Sequence, residues 1–261
     1  MATAKPILYG AWISSCSHRV RIALNLKGVD YEYKAVNPRT DPDYEKINPI
    51  KYIPALVDGD FVLSDSLAIM LYLEDKYPQH PLVPKDIKTK GLDLQIANIV
   101  CSSIQPLQGY GVIGLHEGRL SPDESLEVVQ RYIDKGFKAI EKLLDGCDSK
   151  YCVGDEVHLG DVCLAPQIHA AINRFQIDMV STSSLIFFVQ IKISAALTLH
   201  THQKTNSNKL SFSCRRSTQP CRDFTMPTWK FRHFKPHCPR ISQMHLQQNN
   251  QEIKPVTTIR V

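Results

Sequence analysis

The chain lacks any apolar run long enough to cross a membrane. Its longest mainly apolar stretch, residues 185–199, has 15 residues and is interrupted by Lys192, whereas a spanning helix needs about 20. The first residues, Met-Ala-Thr-Ala-Lys-Pro, do not lead into the apolar segment that a secretory signal contains. We therefore expect no membrane partner and no export.

Closely paired cysteines are also missing. The eight cysteines do not show the spacings typical of disulfide-rich secreted domains. Near the C-terminus, Cys214, Cys221, His233 and His237 superficially resemble a zinc finger, but six residues separate the two cysteines, instead of about two to four. We expect reduced thiols, a cytoplasmic location and no metal site.

Acidic residues are scarce in the last part of the chain. Residues 180–261 carry 12 Lys and Arg against 2 Asp and Glu, whereas residues 1–179 carry 19 against 24. This basic tail is rich in Pro, Asn, Gln and Ser and has no periodic apolar pattern, so we expect it to be irregular or disordered. A basic-tailed interaction protein is one interpretation, but no motif supports nucleic acid as a partner.

The chain before the tail begins with alternating strand and helix signals. In order, these are a strand at 7–9, a helix ending at Gly28, a strand at 31–36, a short helix at 43–47, a hairpin at 53–63 and a helix at 67–73. The hairpin is indicated by Asp58-Gly59 between two apolar runs, and the strand at 31–36 is expected to run parallel to the first. This order predicts a thioredoxin-like α/β domain over residues 5–77.

Strand signals stop after three prolines in a linker at residues 78–85. Three helices are predicted next, over residues 86–114 with a bend at Pro106, 121–144, and 161–174. The second has a strong start signal, since Ser121-Pro122-Asp123-Glu124 fits a capping box with proline in the first turn. We predict a partial all-α domain over residues 86–179.

Ser14-Ser15-Cys16-Ser17 joins the first strand to the first helix. A helix N-terminus presents unpaired amides and the positive end of the helix dipole, which favour an anion such as a negative sulfur or oxygen. Ser and Cys add short donors at the same place. The residues alone fit an ordinary capped helix equally well.

Several motifs together resemble the zeta class of glutathione transferases, the maleylacetoacetate isomerases, in a plant-like version. The motifs are residues 9–21, 52–56, 64–66, 103–108 and 154–157. The resemblance covers about residues 5–179 and implies the glutathione transferase fold, a thioredoxin-like domain followed by an all-α domain. It also implies a homodimer that uses glutathione as cosubstrate.

The activity implied by the resemblance is cis–trans isomerisation of maleylacetoacetate or a related acid, in tyrosine and phenylalanine catabolism. A thiolate adds to the double bond beside a carbonyl, the resulting single bond rotates, and sulfur leaves, so that glutathione is regenerated. The same thiolate would allow transferase activity towards small α-halo acids.

The resemblance assigns the hydrogen bond to the glutathione sulfur to Ser14, with Ser15 and Cys16 in the same positive field. Each unit by which the thiol pKa falls corresponds to about 1.4 kcal/mol of preference for the thiolate. Cys16 is the second catalytic candidate. The alternative for Cys16 is a small apolar side chain that only fills space in the core. The other glutathione-binding positions in this motif are Ser17, His18 and Arg19.

Further site residues also follow from the resemblance. Ile53-Pro54 matches a cis-proline loop whose backbone pairs with the cysteinyl part of glutathione. Asp65-Ser66 would hold the γ-glutamyl carboxylate, and it is equally a plain helix cap. Gln105 is implied to face the cleft and contact both glutathione and substrate. Arg174 would bind a substrate carboxylate, although a solvated surface arginine is the alternative.

The chain departs from the family at three places before residue 179. Ile13 stands where the family usually has Arg, and Gly109-Tyr110 follow Gln108 where the family has Asn. The loop at residues 37–40 is several residues shorter than expected. These departures predict weaker glutathione binding without its loss.

A larger departure starts at Val180-Ser181, where the family continues with helices that complete the all-α domain. We expect these last helices to be missing. Val-Ser can be encoded by GTAAGT, a typical splice-donor sequence, which favours a translated intron or a mispredicted exon over residues 180–261. The alternative function is a glutathione-binding protein that is catalytically impaired.

Overall fold

The computed structural model describes residues 5–109, 112–114, 118–147 and 149–178. The predictions made for the tail at 180–261 lie outside the described residues. Four short strands form one mixed sheet in the order β2-β1-β3-β4. They are β1 (Ile7–Gly10), β2 (Glu32–Ala35), β3 (Ala55–Asp58) and β4 (Phe61–Ser64).

The directions of the strands determine which strand ends lie at the same edge of the sheet. β2 is parallel to β1, as the sequence predicted, whereas β3 is antiparallel to both of its neighbours. β4 therefore runs in the same direction as β1, and the carboxyl ends of these two strands lie at the same edge of the sheet. The predicted hairpin is confirmed, with Gly59 and Asp60 as its two loop residues; Gly59 adopts a φ of +66°.

Three helices accompany the sheet, namely α1 (Ser15–Leu26), α2 (Tyr44–Ile47) and α3 (Ser66–Lys76). α1 packs against α3, and Gly28 follows its end with a φ of +70°, as a C-terminal glycine should. Tyr44 of α2 is buried with Val36 and Ala55 in a separate apolar cluster. The thioredoxin-like domain is thus confirmed.

The chain after the linker is helical, as predicted. Its long helices are α4 (Ile87–Asn98), α5 (Pro122–Leu143) and α6 (Leu159–Phe175). The capping box of Ser121 and Glu124 starts α5. α6 packs against both α1 and α4, and Val162, Cys163 and Leu164 are fully buried.

One helix over residues 86–114 with a bend at Pro106 was a wrong prediction. Regular α-helix ends at Asn98, a π-helical segment (Ile99–Ile104) follows, and a 3-10 turn (Gln105–Gln108) contains the proline. Proline has no N–H to donate and its ring collides with the preceding turn, so the helix changes geometry ahead of it. Among the described residues, no helix has the length and apolarity needed to cross a membrane.

Between α3 and α4 the chain has neither helix nor strand, as the prolines indicated. Hydrogen bonds attach this linker to α3 and to α6. The Glu74 carboxylate accepts from the amides of Leu82 and Val83, and the amide of Leu159 donates to the carbonyl of Leu82. The domain bounds of 5–77 and 86–179 remain a prediction.

Candidate active site

The N-termini of α1 and α3 emerge at the same edge of the sheet. Each helix follows the carboxyl end of a strand, and those two strands, β1 and β4, run in the same direction. Ser14 caps α1 and Asp65 caps α3. The positive ends of two helices therefore lie at one edge, which makes it suited to a ligand with more than one negative group.

Ser14 stands where α1 begins, with extended backbone. Its Oγ accepts a hydrogen bond of 3.2 Å from the amide of Ser17. Because a hydroxyl both accepts and donates, its proton remains available to a second partner. The capping role and the predicted role as a donor to sulfur are therefore compatible in the same side chain.

Cys16 is half-buried in the first turn of α1, and Ser15 before it is buried. Burial raises the pKa of the Cys16 thiol, and the nearby positive charge of Arg19 only partly opposes this effect. Cys16 therefore stays a neutral thiol at neutral pH. A neutral thiol is a weaker hydrogen-bond donor than a hydroxyl, so Ser14 remains the stronger candidate for the donor.

The next two residues of the motif, Ser17 and His18, contact other parts of the protein. Ser17 is fully buried, and a Cβ on Gly10 would lie 2.7 Å from its Oγ. His18 is half-buried and meets His169 of α6 edge-to-face, with ring centroids 6.1 Å apart. Burial and the charge of Arg21 lower the pKa of His18 to about 4, so this imidazole is neutral near pH 7.

Arg19 lies beneath the site and is 1% exposed. Its Nη1 donates to Ser66 Oγ at 3.4 Å and to Cys101 Sγ at 2.6 Å. The side chain therefore links α1 with α3 and with the π-helical segment. Any contribution of Arg19 to glutathione binding passes through these neighbours, because burial keeps its guanidinium away from a ligand at the surface.

Asp65 and Ser66 have different surroundings. Asp65 is exposed, and its Oδ1 accepts from the amides of Leu67 and Ala68 at 2.9 and 3.0 Å. It has a φ of +71°, which is strained for a residue other than glycine; such strain concentrates at functional sites. Ser66 is buried against Arg19.

The bond between Ile53 and Pro54 is cis, as the family resemblance implied. Pairing of Tyr9 with Ala55 continues towards this loop, so Ile53-Pro54 lies beside the end of β1 and close to the start of α1. The carbonyl of the preceding Tyr52 accepts from Tyr44 Oη and Asn48 Nδ2, both at 2.7 Å. These hydrogen bonds fix the loop.

The two residues predicted to bind substrate lie in the helical part. Gln105 is half-buried in the 3-10 turn, and the same turn is anchored to α6 by two hydrogen bonds between Gln108 and Gln167 at 2.8 and 3.1 Å. Arg174 is half-buried in the last turn of α6, with its guanidinium 5.1 Å from the ring centre of Phe175. Their contact with substrate stays a prediction.

The sequence analysis missed two features of this region. Cys101, in contact with Arg19, is 82 positions away from it, and no motif marked it. Trp12, which is 76% exposed, stacks with Arg21 at 4.1 Å, and the neighbouring Ile13 is also exposed. Trp12-Ile13 is visible in the sequence as an apolar pair directly before Ser14, but the sequence does not show that the pair is exposed.

Comparison with known proteins gives matches over the same part of the chain. Residues 8–81 match the family described as glutathione S-transferase, N-terminal domain. A glutathione S-transferase of Triticum aestivum is 99% identical over 179 residues, 69% of this chain and 84% of that protein. A zeta-class glutathione S-transferase of Euphorbia esula is 56% identical (69% and 81% covered). The maleylacetoacetate isomerase of Mus musculus is 41% identical (69% and 83%).

Solved structures agree with these matches. A bacterial zeta-class maleyl pyruvate isomerase superimposes with a TM-score of 0.70 at 33% identity, over 74% of this chain and 95% of that one. A maleylacetoacetate isomerase of Methylobacterium extorquens AM1, solved with malonate and glutathione, has a TM-score of 0.69 at 32% identity, with the same coverage.

The sheet topology, the paired helix ends and these superpositions define a glutathione transferase. Within that superfamily, the chain belongs to the zeta class, which includes the maleylacetoacetate isomerases. It is an enzyme of a glutathione-dependent family, and glutathione is its cosubstrate.

Proposed function

We propose that this chain isomerises maleylacetoacetate from cis to trans in tyrosine and phenylalanine catabolism. The observation that carries the proposal is the 41% identity of this chain to an isomerase named for that substrate, over 83% of the length of that isomerase. The position of Ser14 at the start of α1 supports it. We extend the proposal to a cytoplasmic homodimer and to transferase activity on small α-halo acids.

The chemistry of the donors fits glutathione. Ser14 and the first amides of α1 suit its sulfur, the backbone of Ile53 suits its cysteinyl unit, and the amide of Ser66 suits its γ-glutamyl carboxylate. When bound, glutathione supplies a nucleophilic thiolate whose reversible addition lets the substrate bond rotate.

The chain itself stabilises the anion and orients the acid. A hydrogen bond from Ser14 and the positive end of α1 both favour thiolate over thiol. The neutral thiol of Cys16 adds no competing charge. We assign Gln105 and Arg174 to the substrate, because a guanidinium pairs with a carboxylate through two parallel hydrogen bonds.

The test compares isomerase turnover in Ser14→Ala and Cys16→Ser. Loss of a preorganised donor to a developing anion costs roughly 100-fold in kcat, and we expect that loss for Ser14→Ala alone. Both variants should stay folded and be retained on immobilised glutathione. Wild-type turnover in Ser14→Ala would reject this assignment.

A second candidate is a glutathione-binding protein with impaired catalysis. One observation favours it. The 99% identity to the Triticum aestivum protein covers only 69% of this chain and 84% of that protein, so part of each chain lies outside the match. Retention on glutathione without turnover, restored in a chimera carrying an ordinary family C-terminus, would support it. Sequencing the mature transcript across codons 179–181 tests the accompanying proposal of a translated intron, which a message retaining those codons would refute.

A further inference from the structure

Three cysteines from three elements surround the Arg19 guanidinium. Cys16 lies on α1, Cys101 on the π-helical segment and Cys163 on α6. Cys101 Sγ lies 2.6 Å from Arg19 Nη1 and 3.8 Å from Cys163 Sγ. All three cysteines are free thiols. Two of them are therefore neighbours in space while 62 positions apart in sequence.

Arg19 needs a counter-charge, because an isolated buried cation is costly. Among the described residues, no carboxylate lies within ion-pair distance of it. A thiolate at Cys101 supplies that charge at hydrogen-bond distance. The Nε and Nη2 atoms of Arg19 are buried and have no partner, which adds to the cost of burying this cation.

The two sulfurs differ in protonation. The hydrogen bond with Cys163 and the charge of Arg19, whose Nη1 lies 2.6 Å from Cys101 Sγ, lower the pKa of Cys101, although burial opposes them. The hydrogen bond to Cys101 and burial raise the pKa of Cys163 well above its ordinary value. Near neutral pH the pair is thus a thiolate beside a thiol. That is the arrangement of a nucleophilic cysteine and a resolving one.

We propose that Cys101 is an oxidation-sensitive thiol and Cys163 its resolving partner, so that hydrogen peroxide converts the pair to a disulfide. The Cys101 thiolate attacks one peroxide oxygen, the O–O bond breaks, and hydroxide leaves, which gives sulfenic acid at Cys101. Cys163 sulfur then attacks Cys101 sulfur, and its proton leaves with the sulfenic hydroxyl as water. Two thiols are oxidised and one peroxide is reduced to water.

The two sulfurs already lie close together in the fold. The π-helical segment already packs against α6, and the sulfurs must approach from 3.8 Å to about 2.05 Å. Cys101 is half-buried and thus accessible to a small oxidant, whereas Cys163 is fully buried. Neither step requires glutathione or substrate, so the inference does not depend on the proposed function.

The experiment treats the reduced full-length protein, freed of glutathione, with hydrogen peroxide and measures intact mass and linked peptides. We expect loss of two hydrogens, a peptide pair joined through Cys101 and Cys163, and reversal by dithiothreitol. Cys101→Ser should abolish this bond, and Cys147→Ser, at an exposed cysteine, should leave it unchanged.

Replacement of Cys163 tests the order of the two steps. Cys163→Ala should stop the reaction at Cys101 with one added oxygen, which dimedone traps. The alkylation rate of Cys101 in the folded wild-type protein should be half-maximal at a pH below the ordinary thiol pKa of about 8.5, a readout that is independent of variant folding. A disulfide from Cys101 to Cys16, or an unmodified Cys101 while other cysteines oxidise, would overturn the proposal.

Discussion

The ammonium Nζ of Lys27 lies 2.6 Å from the carboxylate Oε2 of Glu74, with the Lys27 side chain fully buried. Nζ also donates to the carbonyls of Tyr77 and His80 at 3.0 and 3.3 Å. The pair therefore ties the end of α1 to α3 and to the linker. Both charges are satisfied together, and removal of either leaves the other buried without its partner.

We predict that Glu74→Gln lowers the free energy of unfolding by about 3 kcal/mol, since breaking a buried pair from one side is strongly destabilising. Chemical denaturation followed by circular dichroism measures this. The double variant Lys27→Met with Glu74→Leu should lose less than the sum of Lys27→Met and Glu74→Leu. Additive losses would show that the two side chains are not coupled.

A second prediction concerns the floor of the active site. An alanine Cβ at Gly10 would lie 2.7 Å from Ser17 Oγ and 2.9 Å from Ser17 Cβ, so Gly10→Ala must displace the start of α1. We expect reduced stability by about 1 to 3 kcal/mol and weaker retention on immobilised glutathione.

Gly91→Ala is the matched control for that change. Gly91 lies inside α4, and a Cβ there meets nothing within 4 Å. Alanine should stabilise the helix by about 0.5 to 1 kcal/mol and leave glutathione retention unchanged. Equal effects of the two substitutions would remove the argument for steric crowding at Gly10.

A third prediction is a pH dependence of stability from Asp93. Its Oδ1 accepts from the amide of Gly160 at 2.8 Å, but its buried Oδ2 has no partner. Burial raises the pKa of Asp93 from 3.8 to about 7, with a further contribution from Asp161. The folded state therefore holds a proton that the unfolded chain has released, and between about pH 4 and 7 stability falls by about 1.4 kcal/mol per pH unit.

Asp93→Asn should make this slope shallower, with the part due to Asp161, whose pKa burial also raises, remaining. The variant should be at least as stable as the wild type at pH 8, as thermal or urea unfolding at several pH values will measure. Asp86→Asn serves as control on the same helix. Asp86 is its N-cap, and hydrogen bonds from Thr89 lower its pKa, so the slope between pH 4 and 7 should persist. An unchanged slope in Asp93→Asn would refute the assignment.

Local signals explain what the sequence predicted well. The capping box at Ser121, the glycine after α1 and the hairpin around Gly59 each depend on residues only a few positions apart. Such local patterns can be predicted from the sequence without information on tertiary contacts. Of the strand directions, only that of the strand at 31–36 was predicted, and the second helix end at Asp65-Ser66 was implied by the family resemblance.

Long-range contacts explain what could not be predicted. Arg19 carries a charge in an exposed-looking motif, yet it is buried by contacts with Ser66 and Cys101, which lie 47 and 82 positions away. Pro106 accounts for a break near that residue, but the π-helical segment before it packs against α5 and α6, which lie far away in the sequence. Periodicity in the sequence records neither effect.

The central claim is that Ser14, and not Cys16, stabilises the glutathione thiolate. The most direct measurement is the pKa of the thiol of bound glutathione, followed by the ultraviolet absorbance of the thiolate in the wild type, Ser14→Ala and Cys16→Ser. One lost charge-assisted hydrogen bond is worth about 1.5 to 3 kcal/mol, so Ser14→Ala should raise that pKa by roughly 1 to 2, with Cys16→Ser unchanged. An unchanged pKa in Ser14→Ala together with a raised one in Cys16→Ser would contradict the account.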